Sequence, residues 1–494
     1  MRLLAVSFLK RLALLSGVLL SLLTLGAVVY AQPPTPVPSA TPAPTVTGDP
    51  DGIATPDFIT KYDGSLKDDK GKVINEKAPD LSAGDTAWML AASALVLFMT
   101  PGLALFYAGM ARAKNVLNVL MQSFIAMSIV TVVWVVAGYS LAFAPGSALL
   151  GSMDFAMMKG VGQTTFSLNG TAFTIPHQAF MAFQMMFAVI TPALISGAIV
   201  ERMKFSAYCL FIALWSLLVY SPMAHMVWGA GGLLFKMGAL DFAGGTVIHM
   251  TSGFSALALA FLLGKRRLSS HEDTRPHNLP MTLIGTGILW FGWFGFNAGS
   301  AGASNGLAGS AFMVTHIAAA TAGLVWVLIE WIHVKQPTAL GFASGAVAGL
   351  VAITPASGFV DASHALIIGA VVPFISYGMI QVKNKLKTYD DTLDVFAVHG
   401  CGGMWGAIAT GLFASKAVNS AVPEDRGLLM KAQFASIGMA ILLGVVGTIL
   451  ITLILKVVCK GIAVNANEEE AGLDLTQHGE TGYVHGGGGA EVSP

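Results

Sequence analysis

Charged residues are scarce in this chain of 494 residues. Lys, Arg, Asp and Glu make up 11% of it, against roughly a quarter in an ordinary soluble domain, while hydrophobic residues make up 54%. Between Ala87 and Ala111 the only ionisable side chain is Tyr107. A helix of that length spans about 37 Å, which is enough to cross a bilayer. The shortage of charge excludes a soluble globular protein and predicts an all-α polytopic membrane protein.

Cysteine is also rare, and the charges that are present balance. The three cysteines, Cys209, Cys401 and Cys459, lie in apolar segments at no metal-binding spacing. We interpret them as small buried hydrophobic residues. Lys plus Arg and Asp plus Glu each number 27, so the net charge of zero gives no reason to expect a nucleic-acid partner. We expect no metal, no cofactor and no enzymatic activity.

Residues 1–31 have the pattern of a secretory signal peptide. Basic residues precede a long apolar run, and Val29 and Ala31 fit a signal-peptidase site. An uncleaved membrane anchor is the alternative. Residues 32–84 follow as a Pro/Thr-rich linker and a polar segment, which we expect to be extended and extracytoplasmic.

Eleven transmembrane helices are predicted within residues 85–460. Their ranges are 86–110, 116–143, 178–200, 206–223, 246–264, 280–299, 309–332, 338–354, 364–382, 393–413 and 432–457. Most Lys and Arg residues fall in loops on one side, while the other side carries Lys159, Lys236, Lys416, Arg426 and Lys431. This bias predicts a mature N-terminus outside and a C-terminus inside a bacterial-type inner (plasma) membrane.

Two histidines lie in similar positions of the fifth and tenth predicted spans. His249 stands in "GGTVIHMTSGF" and His399 in "DVFAVHGCGG". The two spans should run in opposite directions, which indicates an inverted five-plus-five repeat with an extra last helix and a pathway between the halves. An imidazole pair within a membrane can share one proton and bind a small polar guest or relay protons. His316 has no mirrored counterpart, and we interpret it as a buried group bonded to a neighbouring helix.

Five motifs, in this order, resemble the ammonium transporter family, which includes the methylammonium permeases and Rhesus proteins. They are "HMVWGAGGLL", "GALDFAGGTVIHM", "HNLPM", "GWFGFNAGSAG" and "DVFAVHG", and the resemblance covers about residues 85–485. It implies a homotrimer of eleven-span protomers, each with its own pore for ammonium or ammonia.

The resemblance also implies roles for individual residues. An outer ammonium site is expected at Phe183, Trp228 and Ser300 with Asp241 organising it, a gate of two stacked phenylalanines at Phe187 and Phe296, and a pore lined by His249, His399 and Trp293. Aromatic faces attract ammonium by about 0.5–2 kcal/mol, and a hydroxyl accepts one of its protons. Potassium is attracted as well, so selection is expected in the apolar pore, which passes neutral ammonia and excludes an ion without a proton to lose. Return of the proton through the histidines would make transport electrogenic.

The residues alone also allow plainer interpretations. Phe183 and Phe187, four apart on a helix, are typical of a packed core face, and Trp228 is typical of an interfacial belt. Asp241 and Asp394 each precede a helix, so N-capping is the local interpretation of both. An ammonium sensor and a passive ammonia channel remain alternatives within the family. A membrane electron carrier with two histidine ligands to haem is the alternative from another class.

The polar tail, residues 461–494, has the composition of a disordered cytoplasmic end. Its segment "EEEAGLDLTQHGE", however, resembles the family's C-terminal regulatory segment, which packs under neighbouring protomers. The resemblance implies that a PII-type signal protein can dock at this face. Membrane lipid is the remaining expected partner.

Overall fold

The computed structural model describes residues 66–67, 73–75, 80–267 and 275–483. The predicted signal peptide at 1–31 lies outside the described residues, and so does most of the linker at 32–84. Within that linker, two short strands pair antiparallel: β1 (Leu66–Lys67) and β2 (Val73–Asn75).

Nine helices of the described chain are long and apolar enough to cross a membrane. They are α1 (Ala83–Met110), α2 (Ala113–Phe143), α3 (His177–Ala198), α4 (Phe205–Lys236), α5 (Gly245–Leu263), α6 (Leu279–Gly299), α7 (Gly306–His333), α9 (Ala362–Leu386) and α11 (Arg426–Val458). Two shorter helices complete the bundle: α8 (Ala339–Ile353), and α10, which begins as a π-helix at Phe396–Cys401 and continues as an α-helix at Gly402–Phe413. All eleven predicted spans fall on these helices. The multi-pass helical fold is therefore confirmed, whereas the number of spans and their direction stay predictions.

Polar side chains mark the starts of many of these helices. A side-chain oxygen accepts a hydrogen bond from a backbone N–H of the first turn at Ser82, Asn278, Asn305, Thr338, Asp361 and Asp425. Such caps satisfy backbone donors that have no partner inside the helix. The few polar residues near the helices are thus used where the backbone requires them.

Glycine allows α1 and α6 to pack closely. A Cβ at Gly285 of α6 would overlap the backbone of Gly102 and Phe106 in α1. A Cβ at Gly109 of α1 would likewise overlap Thr282 of α6. In a membrane, helices associate through packing rather than through hydrophobicity, and small residues permit this contact. The three cysteines are buried, as predicted.

One end of the bundle, which we call the basic face, carries an ion-pair network. Arg112 Nε donates to Glu201 Oε2 at 2.7 Å, and Arg266 Nε donates to Asp390 Oδ2 at 2.9 Å. A guanidinium nitrogen of Arg266 also lies 3.7 Å from Glu201 Oε2. Because α5 ends beside Arg266 and α10 begins beside Asp390, these two helices run in opposite directions. We call the other end of the bundle the opposite face.

The helices α5 and α10 cross at a contact between two glycines. A Cβ at Gly253 would overlap the backbone nitrogen and Cα of Gly400. Gly253 lies one turn after His249, and Gly400 directly follows His399. The crossing therefore places the two histidine-bearing turns next to each other in the middle of the bundle.

His316 does not fit the buried role inferred from the sequence. It is exposed on the outer surface of α7, near the middle of that helix. Its ring contacts Trp290 and Phe294 at centroid distances of 5.4 and 6.1 Å, and it makes no hydrogen bond to any described residue. The prediction of a satisfied buried histidine is therefore wrong, because this face of α7 points away from the protomer.

The tail is folded as far as Tyr483, so a disordered end is the wrong interpretation for 461–483. It contains a short helix, α12 (Ala466–Ala471), with a capping box between Asn465 and Glu468. Asp474 Oδ1 then accepts from Asn118 N at 2.8 Å. Two further bonds hold the segment against the starts of α2 and α4: Leu473 N to Asn115 Oδ1 at 2.7 Å and Phe205 N to Gln477 Oε1 at 3.1 Å.

We predict that Asp474→Ala detaches the tail. The carboxylate is the acceptor for a buried backbone N–H of α2, and its loss leaves that donor without a partner, at a cost of about 1–3 kcal/mol. Limited proteolysis of the purified protein should cleave the tail about tenfold faster in this variant. The neighbouring exposed Glu470→Ala serves as the control, and equal cleavage rates in the two variants would contradict the prediction.

Candidate functional site

A cavity of about 190 Å³, which we call the vestibule, lies toward the opposite face. Its walls include four residues predicted from the sequence: Phe183, Phe187, Trp228 and Ser300. The roof comes from a hairpin between α2 and α3, formed by β3 (Phe166–Leu168) and β4 (Thr171–Phe173). The vestibule is thus an aromatic-lined chamber at one end of the bundle.

Trp228 is held in place by the backbone around Asp241. The indole Nε1 donates to the carbonyl oxygen of Asp241 at 2.8 Å, and Asn169 Nδ2 donates to the Trp228 carbonyl at 3.0 Å. Trp228 ends an α-helical segment, Ser221–Trp228, so its position at the vestibule follows from where that helix stops. The interfacial tryptophan is a fixed wall of the cavity.

The Asp241 carboxylate caps the first turn of α5 without lining the vestibule. Oδ1 accepts from the backbone nitrogens of Gly244 and Gly245 at 2.8 and 2.6 Å. Oδ2 accepts from the backbone nitrogen and the hydroxyl of Thr246 at 2.7 and 2.5 Å, and from Val247 N at 3.2 Å. Gly244 has a φ of 111°, a left-handed conformation that favours glycine. Capping by Asp241 is therefore confirmed, and any effect on a guest must act through Trp228 and α5.

Two side-chain oxygens line the vestibule as hydrogen-bond acceptors. The Ser300 hydroxyl donates its proton to the Phe296 carbonyl at 2.9 Å, so the lone pairs of its oxygen remain for a donor in the cavity. Gln184 also lines the vestibule, and its Oε1 accepts no hydrogen bond from the described residues. The sequence reasoning missed Gln184, although it follows Phe183 directly.

Two phenylalanines separate the vestibule from the next cavity. Phe187 lines the vestibule and Phe296 lines the cavity beyond it. Their ring centroids are 4.3 Å apart with an interplanar angle of 67°, and both rings are buried. The expected stacked pair is therefore wrong in its geometry, because the rings meet edge to face, an arrangement that aromatic quadrupoles favour.

Beyond Phe296 lies a narrow cavity of about 10 Å³, which we call the lower pore. It is lined by His249, His399 and Trp293 together with apolar side chains from α1, α3, α6 and α8. The Nδ1 atoms of the two histidines are 3.2 Å apart. At that distance one Nδ1–H donates to the other Nδ1, and the outer nitrogens then comprise one donor and one acceptor. His249 Nε2 has no hydrogen-bond partner among the described residues.

Trp293 fixes the orientation of the histidine pair. Its ring lies nearly parallel to that of His249, with centroids 5.4 Å apart and an interplanar angle of 21°. Its Nε1 donates to Thr354 Oγ1 at 2.9 Å, which ties the indole to the end of α8. A lower pore this narrow, with the imidazoles in contact, has no room for a haem between them. The geometry therefore contradicts the electron-carrier alternative.

The carboxylate that caps α10 is Asp391 rather than Asp394. Asp391 accepts from the backbone nitrogens of Val395 and Phe396 at 3.1 and 2.7 Å. Asp394 instead forms an ion pair with Lys383. The sequence contains the signal, since Asp391 precedes His399 by the same eight residues that separate Asp241 from His249. The prediction for Asp394 is wrong, because its carboxylate is taken up by Lys383 and the residue at the mirrored spacing caps the helix.

Burial and the nearby Asp394 carboxylate raise the pKa of Asp391 to about 6. In the unfolded chain the value is near 3.8, so between these pH values the folded protein holds a proton that the unfolded chain has lost. The stability supplied by the protonated form is present near pH 4 and is lost as the pH rises through about 6.

We predict that Asp391→Asn changes this pH dependence. The amide stays uncharged and keeps one oxygen for the backbone donors of α10. The difference in Tm between the variant and the unchanged protein should therefore shift in favour of the variant as the pH is raised from about 4 to about 7. Thermal unfolding in detergent measures it. Exposed Asp154→Asn is the control, and a Tm difference for Asp391→Asn that is constant with pH contradicts the prediction.

Comparisons with known proteins identify the family of this chain. The family model described as Ammonium Transporter Family matches residues 87–483. The chain is 49% identical over 411 residues to an ammonium transporter of Bacillus subtilis, covering 82% of this chain and 99% of that protein. It is 45% identical to ammonium transporter Amt1 of Archaeoglobus fulgidus, covering 82% of this chain and 100% of that protein.

Solved structures of the same fold include both transporters and a sensor. Saccharomyces cerevisiae Mep2 superposes with a TM-score of 0.72 at 34% identity, covering 79% of this chain and 89% of that one. A structure titled Sensor Amt Protein gives a TM-score of 0.72 at 27% identity, covering 80% of this chain and 98% of that one.

Proposed function

The chain belongs to the ammonium transporter family, and from that premise we propose that it moves ammonium across a cell membrane as ammonia and a separately transferred proton. One observation carries the proposal. A chamber with aromatic faces and free oxygen acceptors is separated by Phe187 and Phe296 from an apolar pore, and the ionisable groups among the described residues that line this pore are two imidazoles.

Ammonium is recruited in the vestibule. The faces of Phe183 and Trp228 attract a cation, and the Ser300 oxygen accepts one of its protons because its own proton is already donated. Gln184 supplies a second acceptor. Ammonium, which has four N–H donors, can form hydrogen bonds with both oxygens. A potassium ion has no proton to donate and gains only the electrostatic attraction.

Deprotonation occurs before the substrate enters the lower pore. An ion in this apolar tube would lose its hydration and meet no compensating charge, which costs many kcal/mol, whereas ammonia is neutral. The free donor and acceptor of the His249–His399 pair give ammonia the hydrogen bonds that the apolar walls lack. The acceptor nitrogen of the same pair takes up the proton that ammonium releases and the donor nitrogen gives one up, so that net charge moves with each substrate.

The basic face is cytoplasmic and the vestibule is extracytoplasmic. The concentration of Arg112, Arg202, Arg266 and Lys383 at one end of the bundle supports this direction. The mature N-terminus is then outside, in an inner (plasma) membrane of bacterial type. The folded tail lies at the cytoplasmic mouth, where a PII-type protein could reach both it and the pore.

A sensor is the second candidate, because the Sensor Amt Protein shares this fold. A sensor binds ammonium but carries no sustained current. A passive ammonia channel lets the substrate through without any current, whereas a transporter of the proposed kind produces one. Electrical recording on reconstituted vesicles separates the three.

We predict that His249→Ala and His399→Ala each reduce the ammonium-evoked current at least about tenfold. Each substitution removes one buried hydrogen-bond partner from the pore, which costs about 1–3 kcal/mol. The measurement is the peak current after an ammonium pulse on vesicles containing the full chain. His364→Ala, at the start of α9 and away from the pore, is the matched control.

Two results would count against this mechanism. Full current in both pore variants removes the histidines from the pathway. A potassium pulse that evokes a current equal to that of ammonium in the unchanged protein removes the neutral-substrate filter.

The functional unit is a homotrimer. His316 supports an association between copies, since an exposed imidazole without a partner is costly within a membrane and a second chain can supply one. Gly287 and Gly309, on the same helices α6 and α7, have open space where a Cβ would lie. Small residues on that surface permit close helix contact between protomers.

We predict that His316→Trp disrupts the trimer because the larger ring cannot be accommodated between protomers. The measurement is the mass of the detergent-solubilised protein by native mass spectrometry. Leu450→Trp, on an exposed position of α11, is the control, because lipid tolerates the added bulk. A His316→Trp protein that remains trimeric contradicts the assignment of this surface.

A further inference from the structure

A groove of about 530 Å³ lies on the basic face between the ends of α5 and α9. It is lined by Lys265, Arg266, Lys383, Asn384, Lys387, Tyr389 and Asp390. We call it the lysine groove. It lies outside the vestibule and the lower pore, and no step of transport uses it.

Two of its four cations are neutralised by neighbouring carboxylates. Arg266 binds Asp390 through Nε at 2.9 Å and through a terminal nitrogen at 3.3 Å. Lys383 pairs with Asp394 and donates to the Asp391 carbonyl at 2.8 Å. These pairs form a fixed floor, and the charge and hydrogen bonds of Arg266 hold the pKa of Asp390 below its ordinary value although burial opposes this.

The other two cations, Lys265 and Lys387, are exposed at the rim. Neither side chain has a hydrogen bond or an ion pair with any described residue. The groove therefore combines a neutral, ordered floor with two positive charges that have no counter-charge among the described residues. An anion in the groove would meet both ammonium groups and the amide of Asn384, which also lines it.

The groove borders exposed apolar side chains. Phe261, four residues before Lys265 on α5, is 55% exposed, and Leu386, next to Lys387 at the end of α9, is 60% exposed. The Tyr389 ring joins the two regions, since it lines the groove and contacts Phe261 at a centroid distance of 5.0 Å. An aromatic ring with a polar tip is typical of the membrane–water interface.

We infer that the lysine groove binds the phosphate of an anionic phospholipid, whose acyl chains lie against Phe261 and Leu386. A soluble phosphate could satisfy the lysines, but it would leave the adjoining apolar surface unused. A phospholipid pairs its phosphate with the lysines and covers the apolar surface with its acyl chains. Basic pockets of this kind between helices at the cytoplasmic side bind lipid headgroups.

Occupancy stabilises the junction of α5, α9 and α10. The floor residues Arg266 and Asp390 connect the groove to Glu201 and to the loop that caps α10. A bound headgroup therefore holds together three helix ends that otherwise depend on a few ion pairs. This holds whether the pore transports, senses or passively conducts.

The test uses the full-length protein in nanodiscs of phosphatidylcholine, with or without phosphatidylglycerol. The double variant Lys265→Gln/Lys387→Gln removes the two rim charges and leaves the floor. The matched control is Lys159→Gln/Lys431→Gln, which removes the same charge from exposed positions elsewhere. The readouts are Tm and the phosphatidylglycerol retained per protomer after exchange into phosphatidylcholine.

Phosphatidylglycerol should raise the Tm of the unchanged protein and of the control. The rim variant should lose that gain and retain phosphatidylglycerol at least about tenfold more weakly. An unaltered gain in the rim variant overturns the proposal. Glycerol 3-phosphate is added to the phosphatidylcholine sample as the soluble arm, and an equal gain there also overturns it, in favour of a soluble phosphate ligand.

Discussion

The close crossing of α5 and α10 at Gly253 and Gly400 determines how near the two imidazoles can come. A side chain at Gly253 would overlap the backbone of Gly400, push the helices apart and break the 3.2 Å contact between the Nδ1 atoms. Each helix begins with a π-helical turn held by a carboxylate, Asp241 in one half and Asp391 in the other. The two oppositely directed helices thus carry the same capping device, and the lower pore lies where they meet.

The vestibule and the lower pore solve different physical problems. The first offers aromatic faces and acceptor oxygens to a hydrated cation, and the second offers almost nothing to a charge. Selectivity in such an arrangement depends less on a close fit around the ion than on which species can become neutral. Trp293, anchored by Thr354, keeps the imidazoles oriented toward the narrow passage.

Hydropathy located every long helix, because segments this apolar have few alternatives in a membrane. The histidine pair could be predicted since its mirrored placement in two spans is visible in the chain. Other features depend on the three-dimensional neighbourhood. Hydropathy cannot distinguish a protomer's interior from its outer surface, so His316 was assigned to the wrong side. Likewise the tail composition gave no sign of the acceptor that Asp474 provides to α2, and ring orientation at Phe187 and Phe296 is fixed only by packing.

The two capping carboxylates differ in their surroundings. Asp241 is bound by backbone amides and one hydroxyl, all uncharged, and is only 6% exposed. Asp391 is itself buried, but it interacts with Lys383 and Asp394, an ion pair whose side chains are partly exposed. Dissolved ions screen the charges around Asp391, with a screening length of about 10 Å at 0.1 M ionic strength. They have little effect on the hydrogen bonds that Asp241 accepts from uncharged groups. A rise in salt concentration therefore weakens the interactions around the start of α10 and leaves those at the start of α5 nearly unchanged.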